Sequence, residues 1–226
     1  MNAEFNDTSA IANNLMRRLK ASAEKRKITE QEAEKARKEQ EARRRRERIE
    51  AIRENWNAPE INVRFQPPNE GQWWEAWAKV REKLGTGVII GMVGAEGRGK
   101  SQMAVEAMKH TTANLRTAYY ETATGIALAL KQTFGGQGSE LAVLQKLSTY
   151  SLLVIDEIDK MQKSGWSDTN LFYLLSKRHN ALRDTIIMGN CQAQELKGIL
   201  TEYILARMKQ GGGIIECNWP SFRLGH

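Results

Sequence analysis

One stretch, Gly94 to Ser101 with the sequence GAEGRGKS, sets the interpretation of this chain of 226 residues. It follows the apolar run GVIIGMV at 87–93, whose β-branched residues and bounding glycines are typical of a buried parallel strand. A helix-compatible stretch then continues to Met108. A G-x-x-x-x-G-K-S pattern between a strand and a helix predicts a P-loop, because its glycines let backbone N–H groups turn around phosphate oxygens.

The positions of this loop predict a site for ATP and Mg²⁺. Lys100 is expected to neutralise charge on the β- and γ-phosphates, and Ser101 is expected to bind Mg²⁺. A glycine-rich loop without nucleotide is the alternative, and the flanking strand and helix weigh against it. The residues predicted to contact the nucleotide are Gly94, Ala95, Glu96, Gly97, Arg98, Gly99, Lys100, Ser101 and Gln102.

A second motif lies 55 residues downstream of the loop. The apolar run at 151–155, SLLVI, predicts a buried strand, and it ends in two acids, Asp156 and Glu157. In a P-loop fold the first acid holds Mg²⁺ through water and the second polarises the attacking water. The alternative for an acidic pair after a strand is the N-cap of a helix.

A third strand, TIIMG at 185–189, delivers Asn190 to the carboxyl edge of the predicted sheet. Open α/β sheets bind their ligands at this edge, so Asn190 could orient the attacking water or sense the γ-phosphate. An asparagine that only forms a turn is the alternative. Strands at 87–93, 116–119, 151–155, 185–189 and 213–217, separated by helical segments, predict an α/β sandwich with a parallel central sheet.

Charged residues are concentrated in the N-terminal part of the chain. Residues 1–60 carry 15 basic and 12 acidic side chains, so this segment predicts a solvated, mostly helical arm without a core of its own. Residues 61–72 include two prolines and are predicted to be a linker. Residues 73–226 are predicted to form the ATPase domain, beginning with a helix whose tryptophans at 73, 74 and 77 are expected to pack on the core. Stacking of these rings on bases is the alternative.

The arm contains one apolar stripe. Residues Ile11, Leu15, Met16 and Leu19 share a helical face and are predicted to dock on a partner. The arginines at 43–46 are either a solvated face or a nucleic-acid contact, and the sequence leaves both open.

Composition argues against several classes. No apolar run approaches the roughly 18 to 20 residues that span a bilayer, and the segment 1–8 has no apolar region of a secretory signal. The cysteines, Cys191 and Cys217, are expected to be thiols in a reducing compartment. The sequence therefore predicts a cytoplasmic protein that does not bind a membrane.

Taken in order, GAEGRGKS, LLVIDEID, IIMGN and ILARMKQGGGIIECNWPSFR resemble the AAA+ ATPases of the DnaC-type replicative helicase loaders, with the IstB transposition helpers close to them. The resemblance covers about residues 85–223, and its most specific part is the C-terminal stretch. It implies a three-layer P-loop AAA+ sandwich without a C-terminal lid domain. It also implies a protein that loads the replicative helicase onto single-stranded DNA and hydrolyses ATP slowly, with stimulation by DNA or a partner.

The resemblance also assigns roles to polar residues. Arg207 takes the position of the arginine finger, which reaches the γ-phosphate of a neighbouring subunit and so implies an oligomer. Arg223 takes the sensor-II position, and Asn190 matches the sensor-I asparagine. A cation that complements a helix C-terminus is the alternative for Arg207, and a residue of a frayed tail is the alternative for Arg223.

Four residues match single-stranded DNA contacts of the loaders: Lys131, Phe134, Ser164 and Trp166. A lysine can meet phosphate and aromatic rings can stack on bases, although each aromatic residue is equally compatible with the core. Asp159 stands where the family commonly has glycine, which leaves the geometry of this region open.

The expected partners follow from the same resemblance. The family places its helicase-binding element in the N-terminal extension, so the arm is expected to dock on a hexameric, DnaB-type replicative helicase. An IstB-like transposition ATPase that binds duplex DNA and a transposase is the first alternative. A partner-binding adapter in which the P-loop only stabilises the fold is the second.

Overall fold

The structure is a computed structural model and describes residues 4–135, 138–161 and 164–222. The chain forms two compact units, Met1–Arg48 and Ile49–His226. Helix α1 (Glu4–Arg53) begins in the first unit and ends in the second.

The first unit consists of the exposed, charged part of α1. Ion pairs one turn apart, such as Glu34 with Lys38 at 2.6 Å, support the helix, as the alternating charges predict. None of the described helices is both long enough and apolar enough to cross a membrane.

The second unit is built on a parallel sheet. Its described strands follow the order β2-β3-β4-β1-β5. In register, Ile90 of β1 lies opposite Ile186 of β4, and Ile155 of β3 lies opposite Ile187. The strands are β1 (Ile89–Val93), β2 (Ala118–Thr122), β3 (Leu152–Asp156), β4 (Asp184–Gly189) and β5 (Gly213–Glu216).

Helices cover both faces of this sheet. Neighbouring residues of β1 belong to different cores, because successive side chains of a strand point to opposite faces. Ile90 packs with Trp73 and Met103 in one core, and Ile89 packs with Leu174 in the other. The helices of this unit are α2 (Glu60–Arg64), α3 (Gly71–Lys83), α4 (Lys100–Ala113), α5 (Ala123–Gln132), α6 (Glu140–Thr149), α7 (Gly165–Asn180), α8 (Ala193–Ile199) and α9 (Glu202–Gly211). The predicted α/β sandwich with a parallel central sheet is confirmed.

The second unit begins at Ile49, ahead of the boundary predicted at residue 60. Trp56 is 3% exposed and its indole N–H donates to Thr112 Oγ1 at 3.1 Å. Its carbonyl accepts from the N–H of Tyr120 on β2 at 2.8 Å, and the Asn57 side chain donates to the Tyr120 carbonyl at 3.0 Å. These contacts join the end of the charged segment to the core, which composition alone does not show.

The amino ends of the strands are tied together by a buried arginine. Arg178 of α7 is fully buried and donates to the carbonyls of Leu147 and Tyr150 at 2.8 and 2.9 Å. Its Nε donates to Thr185 Oγ1 at 2.9 Å. Burial lowers the pKa of this guanidinium. The side chain therefore links the end of α6, which leads into β3, to the start of β4.

Asp184 connects the start of β4 to the chain that precedes its other neighbour, β1. Its carboxylate is 1% exposed and accepts from the backbone N–H groups of Gly85, Gly87 and Val88 at 2.6, 2.8 and 3.2 Å. These donors lie just before β1. The start of β4 thus fixes the chain that enters β1, the strand that precedes the loop at 94–101.

Candidate nucleotide-binding site

The loop between β1 and α4 has the backbone that the P-loop pattern predicts. Gly97 and Gly99 have φ angles of 77° and 74°, in the left-handed region that glycine adopts without a steric penalty. At Gly94 a Cβ atom would lie 2.7 Å from the carbonyl oxygen of Cys217. The glycines therefore allow both the turn of the loop and the close approach of the segment after β5.

Lys100 begins α4 and is 6% exposed. Its ammonium donates to the carbonyls of Gly94 and Ala95 at 2.7 and 2.8 Å, and to Asn190 Oδ1 at 2.8 Å. Burial lowers the pKa of Lys100, and the nearby carboxylates, including Asp156, oppose that effect. The cation is thus held by neutral oxygens, which leaves its charge available for an anion.

Asp156 ends β3 beside the first turn of α4. Its Oδ2 lies 3.3 Å from Ser101 Oγ and also accepts a hydrogen bond from the Tyr120 hydroxyl. Burial and the Asp156 charge raise the pKa of Tyr120, so this phenol remains a donor. The hydroxyl of Ser101 and the carboxylate of Asp156 are the oxygen ligands that Mg²⁺ prefers, and they fit that ion.

Glu157 follows with a φ of 55°, a left-handed conformation that is uncommon outside glycine. Its backbone N–H donates to Asp156 Oδ1 at 2.7 Å, which fixes the turn. Its carboxylate accepts from Lys160 at 2.5 Å, and this hydrogen bond raises the pKa of Lys160. The acid predicted to polarise water is therefore paired with a cation three residues away.

Asn190 lies at the carboxyl end of β4, where the strand pattern places it. Its side-chain oxygen accepts from Lys100, and its backbone N–H donates to Asp159 Oδ1 at 2.8 Å. Asp159 thus uses its carboxylate to fix the turn after β4. The residue that differs from the family pattern has a contact that glycine could not make.

Most of the predicted nucleotide residues line one cavity, and Gly94 and Ala95 line the neighbouring one with Asn190. Sequence reasoning missed four residues around this cavity, although Tyr120 comes directly after a predicted strand and that position was a usable signal. The missed residues are Tyr120, Ile61, Asn62 and Phe222. The members of the main cavity predicted from the sequence are Glu96, Gly97, Arg98, Gly99, Lys100, Ser101, Gln102, Asp156, Glu157 and Asn190.

The two predicted arginines are placed differently. Arg207 lies on α9, outside the described residues that line this cavity, and its guanidinium stacks 5.0 Å from the ring centre of Tyr203. It also donates to Gln210 Oε1 at 3.1 Å. Arg223 falls outside the described residues. Both roles stay predictions.

The structure brings the four predicted DNA-contacting residues close together. Lys131, Ser164 and Trp166 line one cavity, and the ring of Phe134 lies 5.9 Å from that of Trp166. Phe134 is 66% exposed, whereas Trp166 is half-buried and its indole N–H donates to Glu140 at 3.2 Å. Ser164 caps α7 by accepting from the N–H of Ser167, which gives it a structural role.

The apolar stripe of the arm is exposed where it is described. Leu15, Met16 and Leu19 are 58%, 57% and 57% exposed. Ile11 is helical, but its side chain lies outside the part of the chain whose side chains are described.

The fold and the assembled loop define a P-loop protein of the AAA+ class, with a five-stranded parallel sheet in the described residues. The profile of the family described as IstB-like ATP binding protein matches residues 10–226. The chain therefore belongs to the IstB-like ATP binding protein family, as the resemblance implied.

Several curated relatives of the chain are DnaC proteins. Replicative helicase loader DnaC of Escherichia coli (strain K12) is 30% identical over 132 residues, which is 58% of this chain and 54% of the relative. DnaC of Buchnera aphidicola subsp. Baizongia pistaciae is 28% identical over 133 residues, with the same coverage of 58% and 54%. The chain spans about half the length of the curated relatives it matches.

Solved structures agree on the fold. A crystal structure of the DnaC helicase loader has a TM-score of 0.57 and 21% identity, covering 71% of this chain and 97% of that one. AMPPCP-bound DnaA from Aquifex aeolicus has a TM-score of 0.55 and 18% identity, covering 67% and 51%. At these identities the likeness supports the fold alone.

Proposed function

We propose that the protein is an ATP-dependent loader that places a hexameric replicative helicase on single-stranded DNA. The supporting observation is the assembled site at the carboxyl edge of the sheet, in a chain whose curated relatives include proteins named replicative helicase loaders. The three parts of this proposal, which are nucleotide, DNA and helicase, rest on different residues and are tested separately.

The P-loop binds the triphosphate of ATP. Lys100 is oriented by two carbonyls and by Asn190, so its ammonium meets the β- and γ-phosphates without losing all of its protein partners. Ser101 and Asp156 hold Mg²⁺, and the Tyr120 hydroxyl fixes the Asp156 carboxylate. When bound, the ion neutralises charge on the phosphates.

The base of the nucleotide lies against the side of the cavity formed by Ile61, Asn62 and Phe222. The ring of Phe65 is 6.1 Å from that of Phe222, which makes this side partly aromatic. An apolar surface with one amide suits the face and the polar edge of a purine.

Glu157 polarises the water that attacks the γ-phosphate. Its carboxylate is bonded to Lys160, so hydrolysis is slow until DNA or a partner changes this contact and frees the carboxylate for water. Arg207 completes the site of a neighbouring subunit, since a guanidinium offers fixed charge and planar donors for phosphate oxygens. Arg223 is proposed to contact the nucleotide from within the same subunit.

Substitution of Lys100 and Glu157 tests the enzymatic part. We expect Lys100→Ala to weaken ATP binding by about 100-fold, and Glu157→Gln to keep ATP binding while removing hydrolysis. Isothermal titration with ATP and release of inorganic phosphate measure the two properties. If both variants hydrolyse ATP like the unmodified protein, the ATPase assignment is wrong and the P-loop only stabilises the fold.

Single-stranded DNA binds at the cavity that Lys131, Phe134, Ser164 and Trp166 share. We expect the double variant Phe134→Ala and Trp166→Ala to bind an oligonucleotide about tenfold more weakly or worse, because base stacking contributes roughly 1 to 3 kcal/mol for each base. Fluorescence anisotropy across a salt series measures it, and Phe172→Ala, another exposed aromatic position, is the control. Equal affinity in the double variant would remove these rings from the DNA site.

The helicase docks on the apolar stripe of the arm, Ile11 to Leu19, because three of its described side chains are more than half exposed. Pull-down with the host replicative helicase tests this with the full chain and with a form that starts at Ile49, which retains Trp56. We expect only the full chain to capture the helicase.

Point variants sharpen this experiment. Leu15→Glu with Leu19→Glu should lose the helicase, whereas Gln31→Glu with Gln40→Glu adds the same charge elsewhere on the arm and should retain it. Capture by the form that starts at Ile49 would exclude the arm as the docking element. Capture by neither form, together with tight binding of duplex DNA, would favour an IstB-like transposition ATPase.

A further inference from the structure

Three consecutive carbonyl groups of the P-loop accept hydrogen bonds from outside the loop. The backbone N–H of Phe222 donates to Gly97 O at 2.9 Å. The indole N–H of Trp219 donates to Arg98 O at 2.6 Å, and that of Trp73 donates to Gly99 O at 3.1 Å. The donors come from α3 and from the segment after β5, which lie far from the loop in sequence.

These bonds determine the direction of the next three amide groups. In a trans peptide the C=O of one residue and the N–H of the next point to opposite sides of the chain. A carbonyl held outward therefore turns the following N–H inward. The three donors consequently direct the N–H groups of Arg98, Gly99 and Lys100 away from themselves, toward the side of the loop where a phosphate binds.

We propose that Trp73 and Trp219 are positioning residues that orient the phosphate-binding amides of the P-loop. This inference rests on the proposed binding of ATP at the loop. The indole N–H suits this role because tryptophan has no hydrogen-bond acceptor. A hydroxyl or an amide side chain could instead present its oxygen to the carbonyl and repel it.

The packing around Gly99 supports this role. A Cβ atom at Gly99 would lie 2.8 Å from Trp73 Nε1 and 2.7 Å from the ring of Phe222. The side chains of Trp73 and Phe222 therefore pack directly against the backbone of the loop at Gly99. Gly99 O also accepts the N–H of Met103 at 3.0 Å, so one carbonyl joins the indole to the first turn of α4.

Trp77 provides a comparison within the same helix. It is buried like Trp73 and packs edge-on to His110 at 6.3 Å, and no hydrogen bond joins it to the loop within the described residues. Trp77 contributes volume to the core, whereas Trp73 and Trp219 contribute volume and a directed donor.

Replacement of tryptophan by phenylalanine tests the proposal, since it keeps an aromatic ring and removes the donor. We expect Trp73→Phe and Trp219→Phe each to weaken ATP binding by about 3- to 10-fold, the range that corresponds to one hydrogen bond. Inorganic pyrophosphate, measured as a competitor of a fluorescent ATP analogue, should lose affinity by a similar factor because it contacts the loop alone. Trp77→Phe should leave both affinities unchanged.

The outcomes separate this proposal from the function on which it rests. If the unmodified protein binds neither ATP nor pyrophosphate, the proposed function fails. If it binds both and the Trp73 and Trp219 variants bind as tightly, or if Trp77→Phe loses as much as they do, the positioning role is wrong. A second measurement avoids substitution of a buried tryptophan. In NMR spectra of the unmodified protein, pyrophosphate should shift the indole N–H resonances of Trp73 and Trp219, and unchanged resonances would overturn the proposal.

Discussion

The two ends of the parallel strands use buried polar side chains in different ways. At the amino ends, the partners of Arg178 and Asp184 are mostly backbone groups. The guanidinium donates to carbonyls and the carboxylate accepts from N–H groups, so each charge is bonded to groups that do not move independently of the fold.

At the carboxyl ends, several polar side chains are also bonded to one another. Lys100 donates to Asn190, Ser101 lies beside Asp156, and Glu157 pairs with Lys160. Such contacts can be exchanged for a ligand without breaking the sheet. From this difference we expect the amino ends to stabilise the fold and the carboxyl ends to exchange partners when a ligand binds.

The largest effect is expected from Arg178→Met at the amino ends. The substitution keeps much of the side-chain volume but removes the donor from three buried acceptors, the carbonyls of Leu147 and Asp184 and the hydroxyl of Thr185. Each such buried group costs about 1 to 3 kcal/mol, so we expect a loss of at least about 3 kcal/mol in the free energy of unfolding. Urea denaturation measures this.

Arg183→Met is the control for this prediction, because Arg183 is only half-buried and follows closely in the sequence. Its loss should be small. A similar loss in both variants would show that the hydrogen bonds of Arg178 are not the cause.

At the carboxyl ends, Lys100→Met should have the opposite profile. We expect ATP affinity to fall by about 100-fold, or about 2.7 kcal/mol, because a charge-assisted contact to phosphate is removed. Lys100 donates to the carbonyls of Gly94 and Ala95, which are half-buried and exposed residues, so water can take the place of the ammonium. The free energy of unfolding without nucleotide should therefore fall much less than in Arg178→Met. A destabilisation as large as that of Arg178→Met would contradict the distinction between the two ends.

Tyr120 is buried; its backbone N–H donates to the Trp56 carbonyl and its hydroxyl donates to Asp156, and Tyr120→Phe removes only the second bond. Removal of its hydroxyl frees the Asp156 carboxylate, and we expect the Mg²⁺ concentration for half-maximal ATP binding to rise about threefold, as for one hydrogen bond. A Mg²⁺ titration measures this rise. Tyr119→Phe is the control, since Tyr119 stacks on Tyr150. An equal rise in both variants would dismiss a specific contact to Asp156.

The smallest effect concerns alkaline pH. Because the pKa of Lys100 is lowered below its ordinary value of 10.5, its proton is lost earlier than that of an exposed lysine as pH rises. ATP affinity should then fall, while stability without nucleotide rises through the same window, because the unfolded chain holds that proton more tightly. Lys100→Arg stays charged and should show neither trend in titrations at several pH values.

Much of the site could be predicted because its chemistry is local in sequence. The loop from Gly94 to Ser101 carries its glycines, lysine and serine within one turn, and Asp156 and Asn190 follow directly after apolar strands. Parallel strands bring their carboxyl ends together, so these residues meet in the fold. The order of the strands was not predicted, since apolar runs do not specify their neighbours.

The supporting contacts could not be predicted because their partners are distant in sequence. Trp219 reaches Arg98 across 121 residues, and Trp73 reaches Gly99 across 26. The tryptophan cluster correctly predicted a packed helix, yet spacing alone gives no direction to an indole N–H. Likewise the charge of the segment before residue 60 concealed Trp56, a single apolar side chain that packs on α4 and β2.

The contact of Trp56 and Asn57 with Tyr120 has a consequence for how the chain avoids association with itself. β2 is an outer strand of the sheet, and outer strands present unpaired N–H and C=O groups to which another chain can add. Both backbone groups of Tyr120 on this side are already bonded, the N–H to Trp56 and the C=O to Asn57. Trp56 and Asn57, shortly before Pro59, therefore occupy backbone groups at the edge of the sheet. A shortened protein that begins after them would leave these groups free to pair with a strand of another chain, which favours aggregation.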